Sequence, residues 1–347
     1  MSLSQPAPTE ATQPPIEPFR APVWLRGAPA QTIWSPLLRR TPELPWVRSW
    51  LPTPDEDRLL LHTLVGAAKE PTVLLLHGLE GSARSNYVRG AAARFARIGW
   101  TVVAMEFRSC SGEINRARRL YHSGETGDLE LVVQWLLRQR PGPLFVSGVS
   151  LSGNVLAKWL GELGERAPRR LLGAAATSLP FDLVRSGPTI DRALGGLYSR
   201  RFLRTLVPKA LEKARQYPGV LDVEAVRRSR SIEEFDTHAT ARLHGFEDAW
   251  DYWEKSSCHH RLAEVRVPTL LLAARDDPFN PAEALPLETI AANPSLFGRF
   301  PQRGGHVGFV HGSPLRTRHW AEESVEAFFR WLLELSPHDR STVPLPR

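Results

Sequence analysis

Three runs of this chain are apolar at nearly every position: Thr72–His77 (TVLLLH), Thr101–Phe107 (TVVAMEF) and the TLLLAA run that begins at Thr269. Side chains of a strand point alternately to its two faces, so such runs need cover on both. Parallel strands sandwiched between helices meet that need. Shorter apolar or alternating runs at Val47–Leu51, Leu59–Val65, Leu144–Ser147, Leu171–Thr177 and Leu296–Phe300 are further strand candidates. Helical patterns fall between several of them, at Ser85–Ile98, Gly127–Arg138, Ser152–Leu163, Pro281–Ala292 and Arg318–Leu335. Strand–helix alternation predicts an α/β fold: a mostly parallel sheet with helices on both faces and right-handed crossovers.

Leu179–Leu262 breaks the rhythm. It is far longer than a crossover requires and carries helical, Arg-rich and His/aromatic sequence, so it reads as a helical cap inserted over the sheet at about residues 179–262. The main domain is expected over residues 19–340, after a Pro-rich flexible tail at residues 1–18 that lacks the pattern of an export signal. A cytoplasmic location is therefore expected, and Trp24 and Trp34 of the lead-in are expected to lie against the body. Cys110 and Cys258 are the only cysteines, which argues against a disulfide framework or structural zinc. The net charge of +7 gathers in the cap, at Arg200, Arg201, Arg204, Lys209, Lys213, Arg215, Arg227, Arg228 and Arg230. No nucleic-acid motif accompanies it, so the reading left is a solvated face with, at most, weak contact to an anionic membrane surface.

The stretch GVSLSGN, Gly148–Asn154, lies between the apolar run LFVS and the helical pattern VLAKWLGEL. A G-x-S at a strand-to-helix turn pushes the serine hydroxyl above the sheet and sets it beside the free N–H groups of a helix start. Ser150 is thus the candidate nucleophile. The glycine wanted two positions later is Ser152, a small residue whose hydroxyl is expected to satisfy an N–H of the helix's first turn. His77-Gly78-Leu79 follows the TVLLL strand, where a second donor loop belongs, so the amides of Leu79 and Leu151 are the candidate oxyanion hole, supported by His77 and Gly78.

Arg275-Asp276-Asp277-Pro278 ends another apolar run, on the rim where parallel strands gather their carboxyl ends. Asp277 is the candidate partner of a histidine, with Asp276 as the alternative. That histidine is His306 in GGHVGF, whose flanking glycines permit an unusual loop. His122 and Glu125 are read as bracing the site. His238, His244, His259 and His260 match no compact zinc pattern, so no metal is assigned.

Together these segments resemble the YheT-like branch of the α/β-hydrolase superfamily, a group of serine esterases with bacterial and eukaryotic lipid-active members. The resemblance rests on AQT near Gln31, HGLEGSARSNY, FRSCSGEINR, RLYHSGETGDL, GVSLSGN, YPG, FDTHATARLHGF, DDPF and GGHVGF, from about Arg26 to Trp331. The family usually has SLGGN at the elbow and RGCSGE after the second of the three apolar strands; Ser152 and Ser109 depart from it here. The chain order Ser150, Asp277, His306 is that of α/β-hydrolases.

The resemblance implies an α/β-hydrolase fold and a Ser-His-Asp carboxylesterase that cleaves short- to medium-chain or lipid-type acyl esters through an acyl-enzyme, with no cofactor. Thioester or amide cleavage on the same residues, and a non-catalytic binding protein on a hydrolase scaffold, are the competing expectations. The aromatics Phe181, Phe202, Phe246, Trp250 and Trp253 are candidates either to line an acyl site or to pack cap against core.

Overall fold

The computed structural model describes residues 13–335. Residues 1–12 of the expected tail and residues 336–340 of the expected main domain lie outside the described residues. From Gln13 the tail runs along the body: Pro14 is buried, and Glu17 O accepts the indole N–H of Trp320 at 2.6 Å.

Eight strands form one sheet in the order β1-β2-β4-β3-β5-β6-β7-β8. They are β1 Val47–Pro52, β2 Arg58–Leu64, β3 Thr72–Leu76, β4 Thr101–Glu106, β5 Leu144–Val149, β6 Leu171–Thr177, β7 Thr269–Leu272 and β8 Leu296–Arg299. β1 and β2 run antiparallel and all pairings from β4 to β8 are parallel. A final hairpin, β9 Val310–Ser313 and β10 Arg316–His319, stands apart.

Alternation along the central strands divides the core. Leu74, Leu76, Val103, Val146 and Leu271 face one way, against helices α3 (Gly127–Gln139) and α4 (Leu151–Leu163). Val73, Leu75, Val102, Phe145 and Leu270 face the other, against α2 (Asn86–Arg97) and α12 (Trp320–Glu334). Every residue of β3, β4 and β7 is buried, as runs apolar on both faces require.

Helix α1, Ala28–Leu38, precedes the sheet in the Trp-rich lead-in. Between β6 and β7 lie α5 Leu183–Arg192, α6 Leu197–Gln216, α7 Val223–Arg228, α8 Ile232–Phe235, a π-helical turn Asp236–Thr240, α9 Ala241–His244 and α10 Ala249–Ser256. These helices have their own core of Leu203, Leu206, Ala210, Val226, Phe235 and Trp253. α11 covers only Leu287–Ala292. The longer helix expected from Pro281 fails because Pro286 removes an amide donor and biases Leu285 away from helical dihedrals. None of the described helices is long and apolar enough to cross a membrane.

The basic patch read from the cap is thinner than its sequence implies. Lys213 is buried, donating to the carbonyls of Asn115 and Ala117, and Lys209 pairs with Glu80 at 2.7 Å. Arg215 and Arg227 pair with Glu212 and Glu224 on their own helices.

The loop after β4 is built on Arg108, whose side chain is fully buried. Its guanidinium forks onto Asp128 at 2.7 and 2.8 Å and reaches Asp57 at 2.9 Å. Ser109 sits at φ 61°, a left-handed conformation that glycine adopts freely. Its hydroxyl holds it there, accepting the Asn115 N–H at 3.1 Å and donating to Asn115 Oδ1 at 2.6 Å. Replacing Arg108 with methionine would leave Asp57 buried without its cation and Asp128 with only the longer Arg119 contact at 3.2 Å, and should lower the unfolding free energy by about 3–5 kcal/mol. Urea unfolding measures this; a loss below about 1 kcal/mol would contradict it.

Candidate active site

Ser150 occupies the single residue between β5 and α4, at φ 57° and ψ −122°. So strained a conformation persists only where the surroundings enforce it. Its amide donates to Thr177 O at 2.8 Å, and its carbonyl accepts from the Gly153 amide at 2.8 Å. Gly148 is required by the turn: a Cβ there would stand 2.5 Å from the Ser152 carbonyl oxygen.

Ser152 does not cap the helix as its sequence position suggests. The chain doubles back so tightly that its hydroxyl meets the strand ends, accepting from the Val149 amide at 2.8 Å and lying 3.0 Å from the carbonyls of Leu76 and Val149. It therefore ties β5 to β3 beneath the elbow. The glycine one position later has its own task, since a Cβ on Gly153 would meet Leu179 Cβ at 2.8 Å. Substituting Ser152→Gly should leave kcat/KM within about tenfold, because no reacting group moves. It should also lower stability by about 1–3 kcal/mol through the unpaired Val149 amide. Ester turnover and urea unfolding measure the two effects, and a thousandfold gain in turnover would show that the native elbow is impaired.

His306 reaches Ser150 from the loop after β8: its Nε2 lies 2.9 Å from Ser150 Oγ. On the other side its Nδ1 lies 2.8 and 3.1 Å from the two carboxyl oxygens of Asp277. Asp277 is buried and also accepts from the amides of Phe279 and Asn280 and from Asn280 Nδ2, at 2.8, 3.3 and 3.1 Å. The alternative, Asp276, has a different task. Its Oδ1 accepts the Gly305 amide at 2.9 Å, and burial raises its carboxyl above the usual range.

The His306 loop is held amide by amide, which its sequence did not disclose. The His306 N–H donates to Thr32 Oγ1 at 2.9 Å, Val307 N–H to Ser178 Oγ at 3.0 Å, and Val310 N–H to Gln31 Oε1 at 2.8 Å. Gly305, Val307 and Phe309 all have positive φ. Gln31 and Thr32 come from α1, the AQT segment that sequence reading noted without a role.

Four more anchors fix the loop after β3. His77 is buried, and burial lowers its imidazole to about 4, so the ring is neutral at pH 7. Its Nε2 accepts the Phe107 amide at 3.1 Å, leaving the Nδ1 proton for Gly78 O at 2.8 Å. The Gly78 amide donates to Tyr87 Oη and the Glu80 amide to Tyr121 Oη, each at 2.8 Å. The amides of Leu79 and Leu151 donate to no protein acceptor among the described residues. Both residues line one cavity with Ser150 and His306.

That cavity, of about 130 Å³, is walled on its far side by the inserted helices through Leu183, Ile190, Phe202, Leu206, Ile232 and Phe235. Of the aromatics considered from sequence, Phe202 and Trp253 line it; Phe181 and Phe246 pack elsewhere and Trp250 is exposed. His122 lines the cavity. Glu125 does not: it turns to Arg119 and to the Gly127 amide.

A family model described as the α/β hydrolase fold matches residues 71–313. The chain is 35% identical over 310 residues to YheT of Escherichia coli K12, provisionally named an esterase, covering 88% of this chain and 90% of that one. It is 29% identical to the mouse phospholipase ABHD3, over 92% of this chain and 79% of the relative. It is 28% identical to a monoacylglycerol lipase of Saccharomyces cerevisiae, over 79% of this chain and 61% of that one. Among solved structures, an esterase of Pyrococcus furiosus superposes with a TM-score of 0.54 at 17% identity, over 85% of this chain and 98% of that one, a likeness of fold alone.

Proposed function

The chain belongs to the α/β-hydrolase family, in its YheT-like branch, and on that premise we propose that it is a serine carboxylesterase acting on acyl esters of short to medium chain or lipid type. The observation that carries this reading is the unbroken chain of contacts from Asp277 through His306 to Ser150, at 2.8 and 2.9 Å, opening into an apolar cavity.

His306 Nε2 takes the Ser150 proton as the hydroxyl oxygen attacks the ester carbonyl, and Asp277 holds the imidazole in the tautomer whose Nε2 is free to accept. The carbonyl oxygen becomes the oxyanion and receives the Leu79 and Leu151 amides, each worth on the order of 3 kcal/mol in the transition state. Collapse of this intermediate expels the alcohol, protonated by His306. Water, deprotonated in turn by His306, then hydrolyses the acyl-enzyme. The acyl chain lies among Leu183, Ile190, Phe202 and Leu206, where burial of each CH₂ contributes about 0.8 kcal/mol. Relatives named for esterase, phospholipase and monoacylglycerol lipase activity support an ester substrate.

Labelling by a fluorophosphonate, followed by intact mass and peptide mapping, tests the reading. A single adduct on Ser150 is expected, together with turnover of octanoate esters in preference to the matched amide. Folded protein that takes up no label would overturn the proposal, and turnover of the octanoyl thioester alone would overturn the ester class.

A further inference from the structure

The turn that carries the Leu79 amide is held in an unfavourable shape, and one of its holders comes from the inserted helices. Gly78-Leu79-Glu80-Gly81 is closed by the Gly81 amide on the Gly78 carbonyl at 3.0 Å. Glu80, the third residue, has φ 55°, and a positive φ at that place in a turn calls for glycine or asparagine. A glutamate keeps such a conformation only where its surroundings enforce it. The shape matters to Leu79. Gly78 O also accepts His77 Nδ1 at 2.8 Å, and in a trans peptide the N–H points opposite to the C=O. With the Gly78 carbonyl tied by two donors, the Leu79 amide is turned the other way, and Leu79 lines the cavity beside Ser150.

Three contacts fix Glu80. Its amide donates to Tyr121 Oη at 2.8 Å, the same hydroxyl donates to Glu80 Oε1 at 2.9 Å, and Lys209 Nζ donates to that oxygen at 2.7 Å. Tyr121 stacks on the core residue Phe107, with ring centroids 5.3 Å apart. Lys209 belongs to α6, so its contact crosses from the inserted helices to the loop after β3. The Glu80 and Lys209 side chains are 7% and 17% exposed, and so little water screens the pair weakly. The other neighbour of the ammonium, Cys110 Sγ at 3.7 Å, is a thiol that burial raises to about 12. Among the described residues Glu80 is therefore the one anion paired with Lys209.

We infer that Lys209 and Glu80 are positioning residues for the oxyanion hole: through their ion pair the seated α6 holds the turn in the shape that presents the Leu79 amide. This rests on the esterase reading and gives it two further residues. The oxyanion forms only as the carbonyl is attacked, so a displaced amide lowers kcat more than it weakens substrate binding. α6 has a second anchor one turn on, where Lys213 Nζ donates to the carbonyls of Asn115 and Ala117, so the helix stays seated when Lys209 is changed.

Kinetics on an octanoate ester, inhibition by octaneboronic acid and urea unfolding test the role in Lys209→Met and Lys209→Arg. The boronic acid forms a tetrahedral adduct on serine with an oxygen in the oxyanion position. Methionine keeps most of the lysine stem and deletes the charge. Lys209→Met should lower kcat about tenfold or more, leave KM within about threefold, and raise the boronate Ki about tenfold or more. Lys209→Arg keeps a cation beside Glu80 and should recover about a third or more of the native kcat. Should Lys209→Met fail to fold, Tyr121→Phe, which removes the hydroxyl shared by the Glu80 amide and carboxylate, decides by the same kcat, KM and Ki. A folded variant with native kcat and Ki, a loss confined to KM, or a folded Lys209→Arg no better than Lys209→Met overturns the positioning role and leaves the esterase reading in place. Native protein that neither turns over the ester nor takes up fluorophosphonate overturns the esterase reading, and this role with it.

Discussion

Ser150→Ala is expected to lower kcat on an octanoate ester by about 10⁶-fold, the scale seen when a nucleophile is removed from a Ser-His-Asp machine. Alanine keeps the Cβ that already occupies the elbow and deletes only the oxygen facing His306 Nε2 at 2.9 Å. The backbone bonds that define the turn, from the Ser150 amide to Thr177 O and from the Gly153 amide to Ser150 O, do not involve the hydroxyl. Stability should therefore change by less than about 1 kcal/mol. The loss would then belong to chemistry and not to folding. Rates with the octanoate ester, fluorophosphonate uptake and urea unfolding on the same preparation separate the two. Retention of a hundredth of native activity, or label still entering the variant, would mean that another residue is the nucleophile.

Where local pattern and long-range need coincide, the sequence was readable. β3, β4 and β7 are apolar on both faces because they lie inside a sheet covered twice, and α2, α3 and α4 follow from period 3.6 between them. Ser150 stood out because its strand and helix were both signalled, and Asp277 and His306 because they end successive strand regions on the same rim. What escaped depends on partners distant in sequence. The support of the His306 loop by Thr32 and Gln31 spans 274 and 279 residues, and no local pattern announces it. The hairpin β9–β10 was not anticipated, and its last two residues, Arg318 and His319, were read as the start of a helix, since four-residue strands are too short to display alternation. Ser152 was assigned the right size and the wrong hydrogen bonds, because only the folded turn reveals that its hydroxyl meets the strand ends.

Asp277→Asn should lower kcat/KM by about 10⁴-fold with little change in stability, whereas Asp276→Asn should cost less than tenfold. The two aspartates are adjacent, but their jobs differ in the proton each handles. Asp276 accepts a backbone amide, that of Gly305 at 2.9 Å, and an asparagine oxygen can accept it as well. Asp277 faces His306 Nδ1 with both carboxyl oxygens, at 2.8 and 3.1 Å, while the Phe279 amide and Asn280 Nδ2 bind it from the other side. Asparagine there keeps its oxygen on the Phe279 amide and turns its NH₂ toward the imidazole in place of Oδ2, so that Asn280 Nδ2 gives up this acceptor and keeps the Ser178 carbonyl at 3.2 Å. Nδ1 must then accept, the ring proton moves to Nε2, and the nitrogen facing Ser150 becomes a donor that cannot take the serine's proton. The same variant should consequently label with fluorophosphonate far more slowly than native protein, although Ser150 is intact. If instead Asp276→Asn loses a thousandfold and Asp277→Asn keeps its rate, the orienting carboxyl is the first of the pair, and the proton inventory of the site must be redrawn around it.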